Sequence, residues 1–232
     1  MKRSLLIIFI IMLFPISVAF SAGDNYSEGY RLGRVIKYSV KGYMTKSGEG
    51  QMMMGREGTE WITGSGDSKT VRNPWAFSSV LDKSNLINGY IGKYAVIHYE
   101  EVQLNNRMSY DTPYRVLDVQ KVNKTLPFND IFEIPCPMGE KSQGIRVGRI
   151  VKVSKKGRMV DTCEIIVQVG NSGGTFVPMS ITDPAMYDHA IKVLYSSKMV
   201  NVHYVDVGIS NIMSFNDSKY RVWKIEYIND DI

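Results

Sequence analysis

One stretch of this chain occurs twice. GYRLGRVIKYSVKG at 29–42 returns 115 positions later as GIRVGRIVKVSKKG at 144–157. Carried on without a gap, the match pairs Met44 with Met159, Glu49 with Glu164 and Gly55 with Gly170. A second block, offset by 105 or 106, pairs His98-Tyr99 with His203-Tyr204, Asp111 with Asp217, and Tyr114-Arg115-Val116 with Tyr220-Arg221-Val222. A period this long means two whole folding units rather than a solenoid of short ones. Most of the recurring residues are then expected to serve bending, closure and turns.

The 232 residues divide on this basis into 1–22, a repeat at 28–122, a linker at 123–142 and a second repeat at 143–228. Residues 1–22 read as an export signal. Lys2-Arg3 supply the positive end, an apolar run follows from Leu5 to Phe20, and small residues lead to a cleavage expected near Ala22. The apolar run has 16 residues, short of the ~20 a spanning helix needs; an uncleaved anchor is the alternative. The expected location is the periplasm or the exterior. Without Lys2 and Arg3 the chain carries 26 basic and 23 acidic residues, a net +3, too mild to argue a polyanion partner from charge alone.

Two cysteines, Cys136 in the linker and Cys163 in the second repeat, leave two readings open. In an oxidising compartment a bridge would close a loop of 28 residues and contribute about 3–4 kcal/mol in the chain-entropy model. Two thiols are the other reading, because the first repeat has no matching pair.

Alternation predicts a strand from Tyr30 to Ser39, with Leu32, Ile36 and Tyr38 on one face. Gly33, repeated as Gly148, sits inside it, where glycine marks a bend or a close backbone approach. Second strands are predicted at 43–54 and 158–169, and a glycine-rich loop at 55–74. Third strands follow at 75–78 and 176–181. In the second repeat Asp183 is a good N-cap and Pro184 fits the first helical position. Met186, Ala190, Val193 and Leu194 mark one face of the helix they begin. A weaker helix is expected at 81–88. Fourth strands are predicted at 93–101 and 198–207, with Ala95, Ile97 and Tyr99 inward and Val96, His98 and Glu100 outward. Asn201, His203 and Val205 are expected outward in the second copy, and fifth strands at 114–122 and 220–228.

The fold class that follows is mostly β: two tandem small OB-like barrels, each of five strands with one short helix before the fourth. SH3-like barrels are the alternative. The run Gly-x-Arg-x-Gly-x-[IleVal]-x-Lys-x-Ser-x-Lys-Gly, then His-Tyr, then Asp-[ThrSer]-x-Tyr, resembles a family of uncharacterised bacterial proteins. Its members usually carry one copy, and some bear a 6-phosphogluconate dehydrogenase label. The resemblance covers nearly all of 28–122 and 143–228, and it implies no catalytic residues. The chain departs from it in its export signal, its two copies, and Gly48 and Cys163 where tryptophan is expected. The dehydrogenase label has no support here, since no Gly-x-Gly-x-x-Gly follows a strand and opens a helix.

Catalytic motifs are weak. Gly170-Asn-Ser-Gly-Gly174 brings to mind the loop around a reactive serine, and His98, Asp111 and Ser172 occur in trypsin-like order. The equivalent loop of the first repeat has no serine, so a glycine-rich hairpin is the plainer reading and a serine hydrolase a distant alternative. His98 and His203 lack ligand-spaced neighbours, so no metal and no cofactor are expected. The strongest functional hint is basic. Arg31, Lys37, Lys41, Arg146, Lys152, Lys156 and Arg158, with Tyr43 and Trp75 for stacking, would suit a partner surface or an anionic polymer such as an oligonucleotide or polysaccharide. The expected function is a non-catalytic, exported binding or adaptor protein for another envelope protein, in an envelope, secretion or conjugation assembly. Polymer binding through the first strands is the alternative.

Overall fold

The structure, a computed structural model, describes residues 25–43, 45–55, 61–63, 69–71, 74–102, 110–138, 142–156, 162–170, 175–208 and 218–228. Residues 1–22, expected from the sequence to be an export signal, the turn at 157, Arg158 and Ser172 lie outside the described residues.

The protein is mostly β, consistent with an OB-like fold. In chain order the elements are β1 (Asn25–Lys41), β2 (Ser47–Met54), β3 (Trp61–Thr63), β4 (Lys69–Val71), β5 (Pro74–Ser79), a 3-10 turn (Leu81–Lys83), α1 (Ser84–Asn88), β6 (Tyr94–Val102), β7 (Tyr114–Lys121), β8 (Ile131–Glu133), β9 (Ser142–Lys156), β10 (Thr162–Val169), β11 (Phe176–Ile181), α2 (Pro184–Ser196), β12 (Val200–Asp206) and β13 (Tyr220–Tyr227). In the first half, β1 pairs with β2, β2 with β5, β5 with β7, β7 with β6, and β6 with β1. All are antiparallel except β5–β7, which is parallel through Ser78 and Arg115. The second half closes the same ring through β9, β10, β11, β13 and β12, again with one parallel contact, Ser180 to Arg221.

Closing a five-membered ring of strands requires sharp bending, and the repeated residues supply it. A Cβ on Gly33 would lie 2.2 Å from the carbonyl oxygen of Met53, and one on Gly148 would lie 2.1 Å from that of Gln168. Only glycine allows strands one and two to approach so closely. Three residues further on, each first strand slips register by one residue, between Val35 and Lys37 and between Ile150 and Lys152. This bulge corrects the strict alternation expected for the first strand. Leu32 and Val35 are both fully buried, Ile36 is half-buried, and the phase changes in between. The fifth strands bulge at equivalent places too, around Leu117 and Trp223.

Three more expectations need correction. Val96 and Val205 are fully buried rather than outward, Val96 as part of the apolar cluster of the core. The loop after β2 contains a small hairpin, β3 with β4. The connector is more than a spacer: its strand β8 pairs antiparallel with β13. Helix α2 forms as predicted, with Asp183 accepting from Met186 N at 2.8 Å and Met186, Ala190, Val193 and Leu194 buried.

The rings are also joined. β1 pairs antiparallel with β9 over 27–31 and 152–156, so one sheet runs through both halves. The buried apolar side chains likewise form one cluster, with Leu32, Phe77 and Ile97 from the first half and Ile150, Ile165 and Leu194 from the second.

Candidate functional site

The basic residues of the first strands do not assemble into an open face. The guanidinium of Arg31 lies over the rings of Trp75, Tyr99 and Tyr114, at 4.5, 5.1 and 5.3 Å. Arg146 repeats the arrangement over Tyr204 and Tyr220, at 5.4 and 5.6 Å. Cation–π contact holds each charge inside its own half. Trp75 is largely buried against Phe77, Tyr99 and Tyr114, and together with Arg31 it lines a pocket of about 300 Å³ beside Ile166 and Phe176. Lys152 is half-buried at the β1–β9 junction. Burial, and then the neighbouring Arg31, push its pKa down to about 8, while Glu164 pulls the other way. Lys156 is half-buried beside β1, and its carbonyl accepts from Thr162 Oγ1 at 3.1 Å. Lys37, Lys41 and Tyr43 are exposed, and Lys41 is paired with Asp111, which raises its pKa. As a stacking platform, the set expected from sequence is therefore corrected: Arg31, Trp75, Arg146 and Lys152 are packed into the fold. Arg158 lies outside the described residues.

The remaining repeated residues are structural as well. Arg34 Nε donates to the carbonyl of Gly92 at 2.7 Å, and Arg149 Nε to that of Ser197 at 3.2 Å. Gly92 and Ser197 are left-handed, with φ of 78° and 54°. Each arginine thus caps the turn that leads into a fourth strand. Buried Glu49 accepts from Ser47 Oγ and Ser78 Oγ, both at 2.7 Å, and from Asp111 N at 3.3 Å. Thr112 and Ser218 each accept from the backbone N–H two residues on, at 3.3 and 3.2 Å, shaping the entry to the fifth strands.

The histidines bond locally. His98 Nε2 lies 2.6 Å from Glu28 Oε1, and its ring stacks on Tyr30. His203 Nε2 lies 3.3 Å from Glu226, edge-on to Trp223. His98 bonds to Glu28 and Asp111 to Lys41, while Ser172, the third residue of the trypsin-like order, lies outside the described residues. Among the described residues no group of three or more His, Cys, Asp or Glu could hold a metal ion, and no helix is long and apolar enough to cross a membrane. Cys136 and Cys163 are half-buried thiols.

The site that does emerge was missed in the sequence. A groove of about 1070 Å³ lies between α1, the start of β6 and the end of β7, lined by Leu86, Tyr90, Lys93, Tyr94, Lys121 and Lys124 among others. Among the described residues its lining has three lysines and no carboxylate. The same place in the second half is filled. There the connector lays Phe128 edge-on to His189 and Tyr227, and Phe132 stacks on His189 at 5.1 Å. Lys198, the counterpart of Lys93, sits over Tyr227 and Phe128 at 4.4 and 5.4 Å. Tyr227 N donates to Asp130 O at 2.6 Å and Ile134 N to Trp223 O at 2.9 Å, bracketing the β8–β13 pairing. In the first half the counterparts of Trp223 and Tyr227 are Leu117 and Lys121. Among the described residues no strand pairs with that side of β7 beyond the single β5 contact at Arg115. The available signal was two phenylalanines in a proline-rich linker that follows only one of the repeats.

A family model described as a domain of unknown function (DUF8785) matches residues 24–126, the first of the two repeats. No curated protein matches the chain. Two crystal structures of the single-stranded DNA binding protein from Thermus aquaticus are similar to it. A deletion mutant is 10% identical over 90% of this chain and 98% of that one, with a TM-score of 0.25. The wild-type protein is 8% identical over 90% and 95%, also with a TM-score of 0.25.

Proposed function

We propose that this is an exported, non-catalytic adaptor of two tandem OB-like barrels that holds a segment of another envelope protein in the groove of its first half. One observation carries the reading: the second half fills its own groove with residues 128–133, and among the described residues nothing fills the equivalent groove of the first half. The filling segment is extended and aromatic, and it carries Asp130 and Glu133. A segment of that kind would add a strand beside 118–120 of β7, with its aromatic ring over Tyr94 and its carboxylates near Lys93, Lys121 and Lys124. If residues 1–22 act as the export signal expected from the sequence, the partner belongs to the envelope.

A synthetic peptide with the sequence of residues 126–134, titrated into the mature protein by isothermal calorimetry, tests this. Binding is expected, and Lys121→Glu with Lys124→Glu should weaken it about tenfold or more. Lys37→Ala with Lys41→Ala should leave it unchanged. No binding, or equal loss in both pairs of variants, would sink the reading. The three groove lysines also favour a second reading, an anionic polymer. Capture of a single-stranded oligonucleotide in place of the peptide, weakening with salt at a slope of about −2 for three phosphate contacts, would move the assignment there.

A further inference from the structure

The junction between the halves joins unlike surfaces. It pairs Ser27 with Lys156, Glu28 with Lys155, Gly29 with Ser154, Tyr30 with Val153 and Arg31 with Lys152. The first half contributes the early residues of its first strand, and the second half contributes the late residues of the equivalent strand. Among the described residues, each half therefore keeps one of the two surfaces without a partner strand: 37–41 in the first half and 142–146 in the second. Residues 37–41 pair with β2 on one side, and 142–146 pair with β12 on one side. Among the described residues no strand occupies the other side of either. The two edges carry exposed apolar side chains, Val40 at 51% and Ile145 at 57% exposure. Edges with no strand beside them are templates for another strand.

We propose that the edge at 142–146 of one molecule receives the edge at 37–41 of a second copy, repeating the β1–β9 junction, so that copies add head to tail.

The existing junction fixes the register: Gly144 opposite Ser39, Ile145 opposite Tyr38, and Arg146 opposite Lys37. Every step has a precedent inside the molecule. A Cβ on Gly29 would lie 2.6 Å from the carbonyl oxygen of Val153 and 2.7 Å from Ser154 Cβ, so the junction needs glycine opposite serine. Gly144 opposite Ser39 preserves that pair, although the Tyr204 hydroxyl, 2.6 Å from a Cβ there, also favours glycine. Tyr30 against Val153 becomes Ile145 against Tyr38, again apolar against aromatic. The existing junction also tolerates two cations side by side, Arg31 and Lys152, because aromatic rings hold the Arg31 charge. Arg146 has its own rings, Tyr204 and Tyr220, waiting beside Lys37. One feature is lost. Glu28 faces Lys155 within the chain, whereas Gln143 would face Val40, so the contact between copies is weaker than the one between halves. An interface of unlike faces grows into chains or rings rather than stopping at a symmetric dimer.

Sedimentation velocity of the mature protein across rising concentration should show mass growing past the dimer. Ile145→Lys sets a further cation beside Lys37, and Ser39→Trp sets bulk against Gly144; each variant alone should stay monomeric. Mixed together, they should form one-to-one dimers and nothing larger, since each variant retains the surface the other lacks. A wild type that stays monomeric, or stops at a closed dimer, overturns the proposal, as does a mixture that fails to pair. If Ser39→Trp does not fold, Ile145→Lys decides alone. Its side chain points outward, so a variant with an unchanged melting curve that still assembles like wild type refutes the head-to-tail contact.

Discussion

The two halves are alike wherever the backbone has no slack and unlike wherever it meets something else. Gly33 and Gly148 face second-strand carbonyls at nearly the same distance, Arg34 and Arg149 cap the same turn, and Arg31 and Arg146 lie over the same ring positions. The helix, by contrast, has 5 residues in the first half and 13 in the second, and the groove beside it is open in one and filled in the other. Comparing the two halves thus shows which residues ring closure requires, because those are the ones they share. What differs marks where each half meets different surroundings.

The largest effect should come from the shared geometry. Gly33→Val and Gly148→Val each drive a side chain into a carbonyl oxygen, and each should lower stability in chemical denaturation by about 3 kcal/mol or more. If one half tolerates the change, the equivalence fails.

His189 should give the next largest effect, and it separates the halves. Burial, and then Lys192, hold its pKa down at about 4, from an ordinary 6.5. The unfolded chain takes up this proton near pH 6.5 and the folded chain only near pH 4. Stability should therefore be unaffected above pH 6.5, fall as pH drops from 6.5 to 4, and level off below that. The loss is up to about 3 kcal/mol. His189→Gln, compared with wild type in urea melts across that range, should flatten the slope. A slope that persists would mean that other groups cause it.

Smaller still are the turn caps. Arg149→Met should cost about 1 kcal/mol, and Arg34→Met less, because the Arg34 bond is more exposed to water. The reverse order in thermal melts would show that the two caps are not equivalent in strength.

Much of the fold was legible in the sequence, because recurrence of residues exposes those that closure demands. The glycines, the Asp183 cap and the strand order could all be read from spacing. The bulge at Ile36 could not, since a register slip leaves no mark on an alternating pattern until the partner strand is known. The site was harder for the same kind of reason. Arg31 and Trp75 look like a binding pair when listed along the chain, and only the ring closure turns them toward each other. Phe128 and Phe132 lie in a stretch whose prolines suggested an idle spacer. Their role depends on a strand edge of β13, about ninety positions away, which local patterning does not reveal.

Residues 27–31 of β1 are hydrogen-bonded on both flanks, to β6 within the first half and to β9 across the junction. The molecule is therefore spliced rather than hinged. Cutting the chain after the first copy would strip one flank from that strand and leave a raw seam down the side of the fragment. The boundary between the two similar stretches of sequence is not a place where the finished object comes apart cleanly.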